Sequence, residues 1–263
     1  MATDKNSIDI CLVKEGVLCI NDRSIVGDIP LLMKLSESYD SINLAWASLY
    51  ELKPKDFDAL CLSVAKPLKS LDLSHNFIET FTQKIMINLC LLIRQCKPEH
   101  LNLSGFFISK CDYKWELLTS LIRIPRLSKL TLSKCELGTN GGCLKELLRG
   151  LSYMKLKVLD ISDNEFWRLN QDQWQKVVDY IGQSKLKAIH FHASDLQQMP
   201  TNAKNNLVTI IAEKNIHLKI SSLNYLKDPL LIKADWARRY NPALFNDCKR
   251  ETKEQPLQLK ARL

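Results

Sequence analysis

Long hydrophobic runs are missing from this sequence. Its densest apolar stretch, Leu89–Ile93, is five residues long, whereas a helix that crosses a bilayer needs roughly 18 or more. The apolar segment Ile8–Val13 is too short for a secretory signal and has no basic leader before it. We therefore expect a soluble, cytoplasmic protein with no membrane span.

Patterns typical of disulfide frameworks, zinc sites and common enzymes are missing as well. The nine cysteines are an odd number at scattered spacings, and no C-x-x-C pair occurs. No Gly-rich phosphate loop, paired-carboxylate spacing or nucleophile elbow is found. The sequence thus predicts reduced, mostly buried thiols, no cofactor and no enzymatic activity.

The excess of positive charge is mild. The net charge is +8, with 46% hydrophobic and 25% charged residues, as in ordinary globular proteins. Residues 226–263 hold nine Lys or Arg and five Asp or Glu, a balance of +4, so residues 1–225 carry the other +4. No block of basic residues occurs, so binding to nucleic acid is permitted by the charge but not required.

An internal repeat determines the architecture. Seven short apolar segments begin 29 or 30 residues apart: Ile42–Leu44, Leu71–Leu73, Leu101–Leu103, Leu130–Leu132, Leu159–Ile161, Ile189–Phe191 and Leu218–Ile220. Five residues after each segment comes another apolar or aromatic residue, in order Leu49, Ile78, Ile108, Leu137, Phe166, Leu196 and Tyr225. Seven registers that agree within one residue predict one repeating unit.

The clearest repeats, Leu68–Ile78 and Leu156–Phe166, match L-x-x-L-x-L-x-x-N-x-L. This pattern and period resemble the ribonuclease-inhibitor-like class of leucine-rich repeats over residues 41–225. The resemblance implies an α/β solenoid, a horseshoe of about seven repeats with parallel strands on the concave face and helices on the convex face. Apolar residues at helical spacing predict five of those helices: Phe81–Cys96, Tyr113–Ile122, Gly142–Tyr153, Gln171–Gly182 and Asn202–Lys214.

Some repeats depart from the pattern. Cys135 and Ser194 take the Asn position in two of them, while Ala47 and Phe106 stand there in two others. Because a phenyl ring cannot make the hydrogen bonds of an asparagine, we expect either an irregular turn at Phe106 or amides that find other partners.

The ends are predicted to be caps. Residues 1–40 are interpreted as an N-terminal cap, a hairpin from Ile8–Val13 and Val17–Ile20 followed by a helix at Pro30–Ser38. Residues 226–263 are interpreted as a capping helix at Asp228–Tyr240, anchored by Trp236, and a loose basic tail from Asp247.

The register sorts exposed side chains into columns. The central concave column holds Asn43, Asp72, Asn102, Thr131, Asp160, His190 and Lys219. The column on its C-terminal side holds mostly serine, as in Ser74, Ser104 and Ser162. Small polar residues leave a hollow that can admit a partner's side chains, although a plain solvated face explains them as well.

The turn after each strand supplies an outward row. It reads Ser48, Phe77, Phe107, Glu136, Glu165 and Asp195, an aromatic pair followed by acidic residues. Exposed aromatic residues are typical binding anchors. We predict a protein-binding site at Asp72, Phe77, Asn102, Phe107, Glu136, Asp160 and Glu165. The alternative is that both phenyl rings fold back over their turns.

The opposite rim is basic. Cations lie just before the strands at Lys66, Lys69, Arg126, Lys129, Lys155, Lys157, Lys185 and Lys187. These positions follow helix C-termini, where cations complement the helix dipole. The alternative is an edge that binds nucleic acid or an acidic membrane.

One histidine group favours a metal-dependent enzyme as a further alternative. His190 and His192 are two residues apart on one predicted strand, and Asp160 lies beside His190 on the next. Two imidazoles and a carboxylate can hold a divalent metal. A polar concave face explains the same residues, and the leading prediction is that no metal is bound.

The leading functional interpretation is a monomeric module that binds a protein partner. A short repeat array with few glycines resembles the leucine-rich-repeat effectors that intracellular bacterial pathogens deliver into host cells. The ending, with Glu251 and Glu254 followed by Leu257, Leu259 and Leu263, resembles their translocation signals. That resemblance implies a host protein as partner and the host cytoplasm as the place of action.

Overall fold

The computed structural model describes residues 12–14, 16–20, 38–64 and 66–222. They form one open sheet of nine strands in sequence order. The strands are β1 (Leu12–Lys14), β2 (Val17–Cys19), β3 (Ser41–Asn43), β4 (Ser70–Asp72), β5 (His100–Asn102), β6 (Lys129–Thr131), β7 (Val158–Asp160), β8 (Ala188–His192) and β9 (His217–Ser221). Strands β1 and β2 are antiparallel, and every later pairing is parallel.

A helix follows most strands and returns the chain to the start of the next one. The helices are α1 (Pro54–Ser63), α2 (Gln83–Cys96), α3 (Lys114–Ile122), α4 (Gly141–Tyr153), α5 (Gln171–Gln183), α6 (Ala193–Leu196) and α7 (Thr201–Lys214). The predicted solenoid is confirmed, and the five predicted helices match α2, α3, α4, α5 and α7 within two residues. Helix α1 was not predicted, although its Phe57 and Leu60 are buried.

Local sequence explains where these helices begin. The Asn140 side chain accepts from the amide of Cys143 at 3.1 Å and so caps α4. Asn170 and Gln173 form a reciprocal capping box at the start of α5, with N···O distances of 2.9 Å. Each cap satisfies amides that have no partner inside the helix.

The core runs the length of the solenoid between sheet and helices. Strands β2 to β7 each bury their middle residue, for example Leu71 and Leu130, and expose part of the two flanking ones. In the later repeats the Phe166 ring meets Trp174 and Phe191 edge-on, with centroids 5.8 and 6.0 Å apart, and the rings of Trp174 and Phe191 are tilted by 44° at 6.4 Å. None of the described helices has the length and apolarity required to span a bilayer.

Buried polar side chains join neighbouring turns. Asn164 is fully buried; its Nδ2 donates to the carbonyls of Leu132 and Ile161 at 2.7 and 2.9 Å, and its Oδ1 accepts from the amides of Cys135 and Leu137. Three repeats earlier, Asn76 makes three equivalent contacts: its Nδ2 donates to the carbonyls of Leu44 and Leu73, and its Oδ1 accepts from the amide of Leu49. These bonds tie the repeats that contain Asn76 and Asn164 to the repeats before them.

Two other residues perform this task with different chemistry. The Cys135 thiol donates to the carbonyl of Leu103 at 3.2 Å. In the next repeat but one, Asp195 Oδ1 accepts from the amides of Asn164 and Phe166 at 3.1 and 3.3 Å. The prediction that Ser194 takes the asparagine position was therefore wrong.

The fully buried Asp195 also does not continue the outward acidic row, as the sequence had indicated. Strand β8 runs directly into helical turn α6, which shifts the position by one residue. Burial raises the pKa of Asp195 from 3.8 to about 6, despite the amides that hydrogen-bond to it.

The turn at Phe106 is not irregular. Gly105 and Phe107 have φ values of 70° and 37°, in the same left-handed region as His75 and Phe77 one repeat earlier. The Phe106 ring is fully buried, so it fills the asparagine's space with apolar contact instead of hydrogen bonds.

The described cysteines are free thiols. Burial raises the pKa values of Cys61, Cys96 and Cys135 to about 12, so these thiols stay protonated and pack as small apolar groups. The predicted helix at Pro30–Ser38, the capping helix at Asp228–Tyr240 and the tail lie almost wholly outside the described residues. The boundaries at residues 40 and 225 therefore remain predictions.

Candidate protein-binding surface

The strand register aligns the central concave column as the period predicts. Asn43, Asp72, Asn102, Thr131, Asp160, His190 and Lys219 are direct partners from β3 to β9. All seven side chains are partly exposed. They lie in one row across the sheet.

Three of the predicted site residues in this column also hold their own turns. Asp72, Asn102 and Asp160 each use Oδ1 to accept from the amide and hydroxyl of the serine two residues later, at 2.6–3.0 Å. Asn102 Nδ2 also donates to Asp72 Oδ2 at 2.9 Å. Their remaining exposed faces form a rigid polar surface.

Asp160 and His190 form a pair on the concave face, with Oδ2 and Nδ1 2.8 Å apart. Burial alone would raise the pKa of the Asp160 carboxyl, but hydrogen bonds from His190 and Ser162 outweigh it. The pKa of Asp160 is therefore lowered, and the carboxylate stays charged.

His192 does not join this pair. Its Nδ1 lies 2.7 Å from the Ser194 hydroxyl and accepts from the Ser194 amide, so the ring caps α6. Among the described residues, no three His, Cys, Asp or Glu side chains are grouped closely enough to hold a metal ion. The geometry gives the alternative site at Asp160, His190 and His192 no support.

The turns after the strands form a second surface, which we call the C-terminal rim. In the five turns that follow β3 to β7, two residues adopt a left-handed conformation, for example Trp46 and Ser48 (φ 56° and 51°) or His75 and Phe77 (φ 58° and 52°). This backbone shape is repeated at Gly105, Phe107, Lys134, Glu136, Asp163 and Glu165. The side chains of the rim therefore follow one another in two rows.

Phe77 lies at the centre of an aromatic cluster formed with Trp46, Tyr50 and His75. Trp46 stacks on His75 with centroids 4.4 Å apart and planes 9° apart. Trp46 and Tyr50 each meet the Phe77 ring edge-on, at 5.7 and 6.1 Å. Such pairs are favoured by the quadrupoles of the rings and hold them in place.

The cluster reaches solvent through residues that the sequence analysis did not select. Trp46 is 44% and Tyr50 40% exposed, whereas Phe77 is partly buried beneath them. Trp46 precedes the asparagine position, in the same column as His75. The sequence signal for the cluster is this pair, a tryptophan and a histidine at equivalent places in adjacent repeats.

Gly105 provides the space for the histidine ring. A Cβ atom at Gly105 would lie 2.3 Å from His75 Nδ1, closer than any real contact. The same residue has a φ of 70°, which favours glycine. The position of His75, and with it the stack on Trp46, depends on the absence of a side chain here.

Phe107 has different neighbours from Phe77. The ammonium of Lys110 lies 5.1 Å from the centre of the Phe107 ring and 2.8 Å from Glu136 Oε1. Phe107, Lys110 and Glu136 therefore form one contact chain along the rim. The predicted acidic row is partly neutralised within the protein.

One repeat further, Glu165 is also paired with a cation of the protein. Arg168 Nε lies 2.7 Å from Glu165 Oε2, and its guanidinium stacks 4.7 Å from the Trp167 ring. Trp167 is 42% exposed and was not selected from the sequence. The C-terminal rim thus presents aromatic rings and internal ion pairs more than free negative charge.

The convex face carries an apolar patch that sequence reasoning did not find. Ile87, Leu91 and Trp115 are 42–45% exposed and line a shallow groove of about 380 Å³ between α2 and α3. Cys90, Arg94 and Glu116 complete its walls.

No protein-family model matches the chain, and no curated protein matches it. Among solved structures, the crystal structure of the leucine-rich repeat-containing protein LegL7 from Legionella pneumophila resembles it with a TM-score of 0.59. The two share 17% sequence identity, over 82% of this chain and 68% of that one. At this identity the likeness concerns the fold. Together with the 29- or 30-residue period and the buried Asn and Cys positions, it shows that the chain has the leucine-rich-repeat fold.

Proposed function

We propose that this protein is an interaction module that binds a protein partner through its concave face and C-terminal rim. The observation that carries the proposal is the aromatic cluster. Trp46 and Tyr50 remain 44% and 40% exposed even though their rings are held in fixed contact with His75 and Phe77. Tryptophan and tyrosine are enriched among the residues that carry most of the binding energy of protein interfaces.

The surroundings of the cluster fit a protein partner. The polar row through Asp72 and Asn102 borders it, and both side chains are fixed by hydrogen bonds to each other and to serines. A surface ordered before binding loses little conformational entropy when a partner docks. Because Lys110 and Arg168 already pair with Glu136 and Glu165, the partner is expected to present apolar groups at the cluster more than basic ones.

The finer proposal concerns the partner's origin. We infer that the chain is a bacterial effector that acts on a host protein in the host cytoplasm. Its sequence resembles leucine-rich-repeat effectors of intracellular pathogens, and a leucine-rich-repeat protein of Legionella pneumophila shares its fold.

Affinity capture with matched variants tests both statements. The bait carries Trp46→Ala with Phe77→Ala, and the control bait carries Trp115→Ala, which removes an equally exposed tryptophan from the convex face (45% against 44%). Host-cell and bacterial lysates are compared by quantitative mass spectrometry, and the affinity of the purified partner is then measured. We expect the double change to weaken binding by at least about 2 kcal/mol, the usual threshold for anchors.

Several outcomes contradict the proposal. If the rim variant binds as tightly as the wild type while Trp115→Ala does not, the interface lies on the convex groove. If a partner is retained only from bacterial lysate, the effector inference is wrong and the binding module remains. The comparison requires that the wild type, the rim variant and Trp115→Ala have the same thermal stability.

A further inference from the structure

Four lysines form a compact group at the opposite edge of the sheet, where the strands begin. Lys157 and Lys187 directly precede β7 and β8, and the Lys187 amide donates to the Lys157 carbonyl at 2.7 Å. Two residues earlier, Lys155 and Lys185 are equivalent to each other in the repeat. The intervening Leu156 and Leu186 are buried, whereas the lysines on either side of them are exposed.

The side chains of these four lysines have no ion pair or hydrogen bond with any residue that the structure describes. Other cations of this rim do: Arg126 pairs with Glu99, and Lys66 with Asp40. No Asp or Glu occurs in residues 153–158 or 183–188. Like charges placed side by side on adjacent strands repel each other, so the fold alone does not account for this group.

The helix dipole does not account for Lys157 and Lys187 either. The C-terminal end of α5 already has a cation beside it, since Lys214 Nζ lies 3.4 Å from the carbonyl of Ser184. The dipole effect fades within the last helical turn. Lys157 and Lys187 lie four residues beyond the ends of α4 and α5, beside the strands.

We propose that this group, Lys155, Lys157, Lys185 and Lys187, docks the protein onto an anionic membrane surface. Each lysine near such a surface contributes on the order of 1 kcal/mol of attraction to acidic headgroups. Tyr153, two residues before Lys155, is 80% exposed. An exposed tyrosine beside cations is suited to the headgroup region, where its ring and hydroxyl are both satisfied.

A membrane fits the chemistry better than nucleic acid does. All four cations are lysines, which meet phosphates as flexible point charges, whereas base edges are read mainly by the planar fork of arginine. Single-stranded nucleic acids are held on several stacked aromatic rings, and the two lysine segments contain one ring, Tyr153. Docking by this edge leaves the aromatic cluster, at the other ends of the strands, free for a protein partner.

Vesicle co-sedimentation of the full chain tests the proposal. One set of vesicles is pure phosphatidylcholine, and the other contains about 30% phosphatidylserine to supply a negative surface potential. The test variant replaces all four lysines by glutamine. The control variant replaces Lys55, Lys84, Lys145 and Lys176, four exposed lysines of the convex helices, and so loses the same charge.

We expect the wild type and the control to bind the anionic vesicles, and to be released as salt rises and screens the charges. The test variant should bind at least about tenfold more weakly, a conservative value for four lysines at the surface. Circular dichroism melting should be the same for all three proteins, because the replaced side chains are exposed.

The proposal is wrong if the wild type does not distinguish the two kinds of vesicle, or if test and control variants lose binding equally. It is also wrong if the test variant still binds fully, which would place the contact elsewhere, for example in the basic residues 226–263. A single-stranded RNA oligonucleotide is titrated in parallel by fluorescence anisotropy. If the protein binds the RNA through these lysines and does not bind the vesicles, the proposal is wrong and the ligand of the lysine group is nucleic acid.

Discussion

Asp195 should make the stability of the solenoid depend on pH in a way that one substitution removes. The carboxyl is fully buried, and its pKa is raised from 3.8 to about 6. The folded protein therefore holds this proton more tightly than the unfolded chain does. The contribution of Asp195 to the free energy of unfolding is greatest below about pH 4, falls as the pH rises toward 6, and is constant above that.

The size of the effect follows from the shift. Two pKa units at 1.36 kcal/mol each correspond to about 3 kcal/mol of unfolding free energy between the protonated and ionised protein. Asp195→Asn keeps an oxygen that can accept from the amides of Asn164 and Phe166, and asparagine performs this task in other repeats. The variant has no charge to bury, so it does not lose this contribution.

The assay is urea unfolding followed by circular dichroism at pH 4 and pH 7. Asp160, His75 and His217 also have shifted pKa values, but they are present in both proteins, so their effects cancel in the difference. Relative to the wild type, Asp195→Asn should gain about 2–3 kcal/mol on going from pH 4 to pH 7. A difference that is the same at both pH values would refute the reasoning, because it would mean that Asp195 has an ordinary pKa.

Two further predictions concern other polar side chains. Asn164→Ala leaves buried amides and carbonyls of two repeats without partners and should cost at least about 3 kcal/mol of unfolding free energy. The control Asn206→Ala removes an exposed hydrogen bond to Gln175 and should cost almost nothing. Equal losses of unfolding free energy in the two variants would contradict the role assigned to Asn164. Metal analysis of the purified protein should find no stoichiometric zinc or iron, because His192 caps α6 instead of joining Asp160 and His190; one equivalent that is lost in His192→Ala would revive the enzyme alternative.

The architecture was predictable because a fixed period places equivalent residues in register. Once Leu71 and Leu101 are aligned, the pairing of Asp72 with Asn102 follows without further information. The concave column is therefore fully derived from the sequence. Helix α1 was not predicted, although its first residue, Pro54, suits a helix start.

The rim was only partly predictable. The sequence indicates that Phe77 and Phe107 occupy equivalent turn positions, but not that one ring contacts Trp46 and the other Lys110. These contacts depend on left-handed backbone angles at residues that are not glycine, which composition alone does not reveal. Asp195 was misplaced for a similar reason, since a helical turn replaces the usual loop after β8.

Gly105 makes the aromatic cluster depend on a residue that is not part of the cluster. The residue has no side chain that could contact a partner, and it would be passed over in an alanine scan aimed at aromatic or charged side chains. Yet the smallest side chain at this position would collide with His75 and displace the ring on which Trp46 rests, one repeat further away. Substitutions at Gly105 and at Trp46 should therefore be coupled. In related chains that carry a side chain at the position of Gly105, we expect a residue smaller than tryptophan at the position of Trp46.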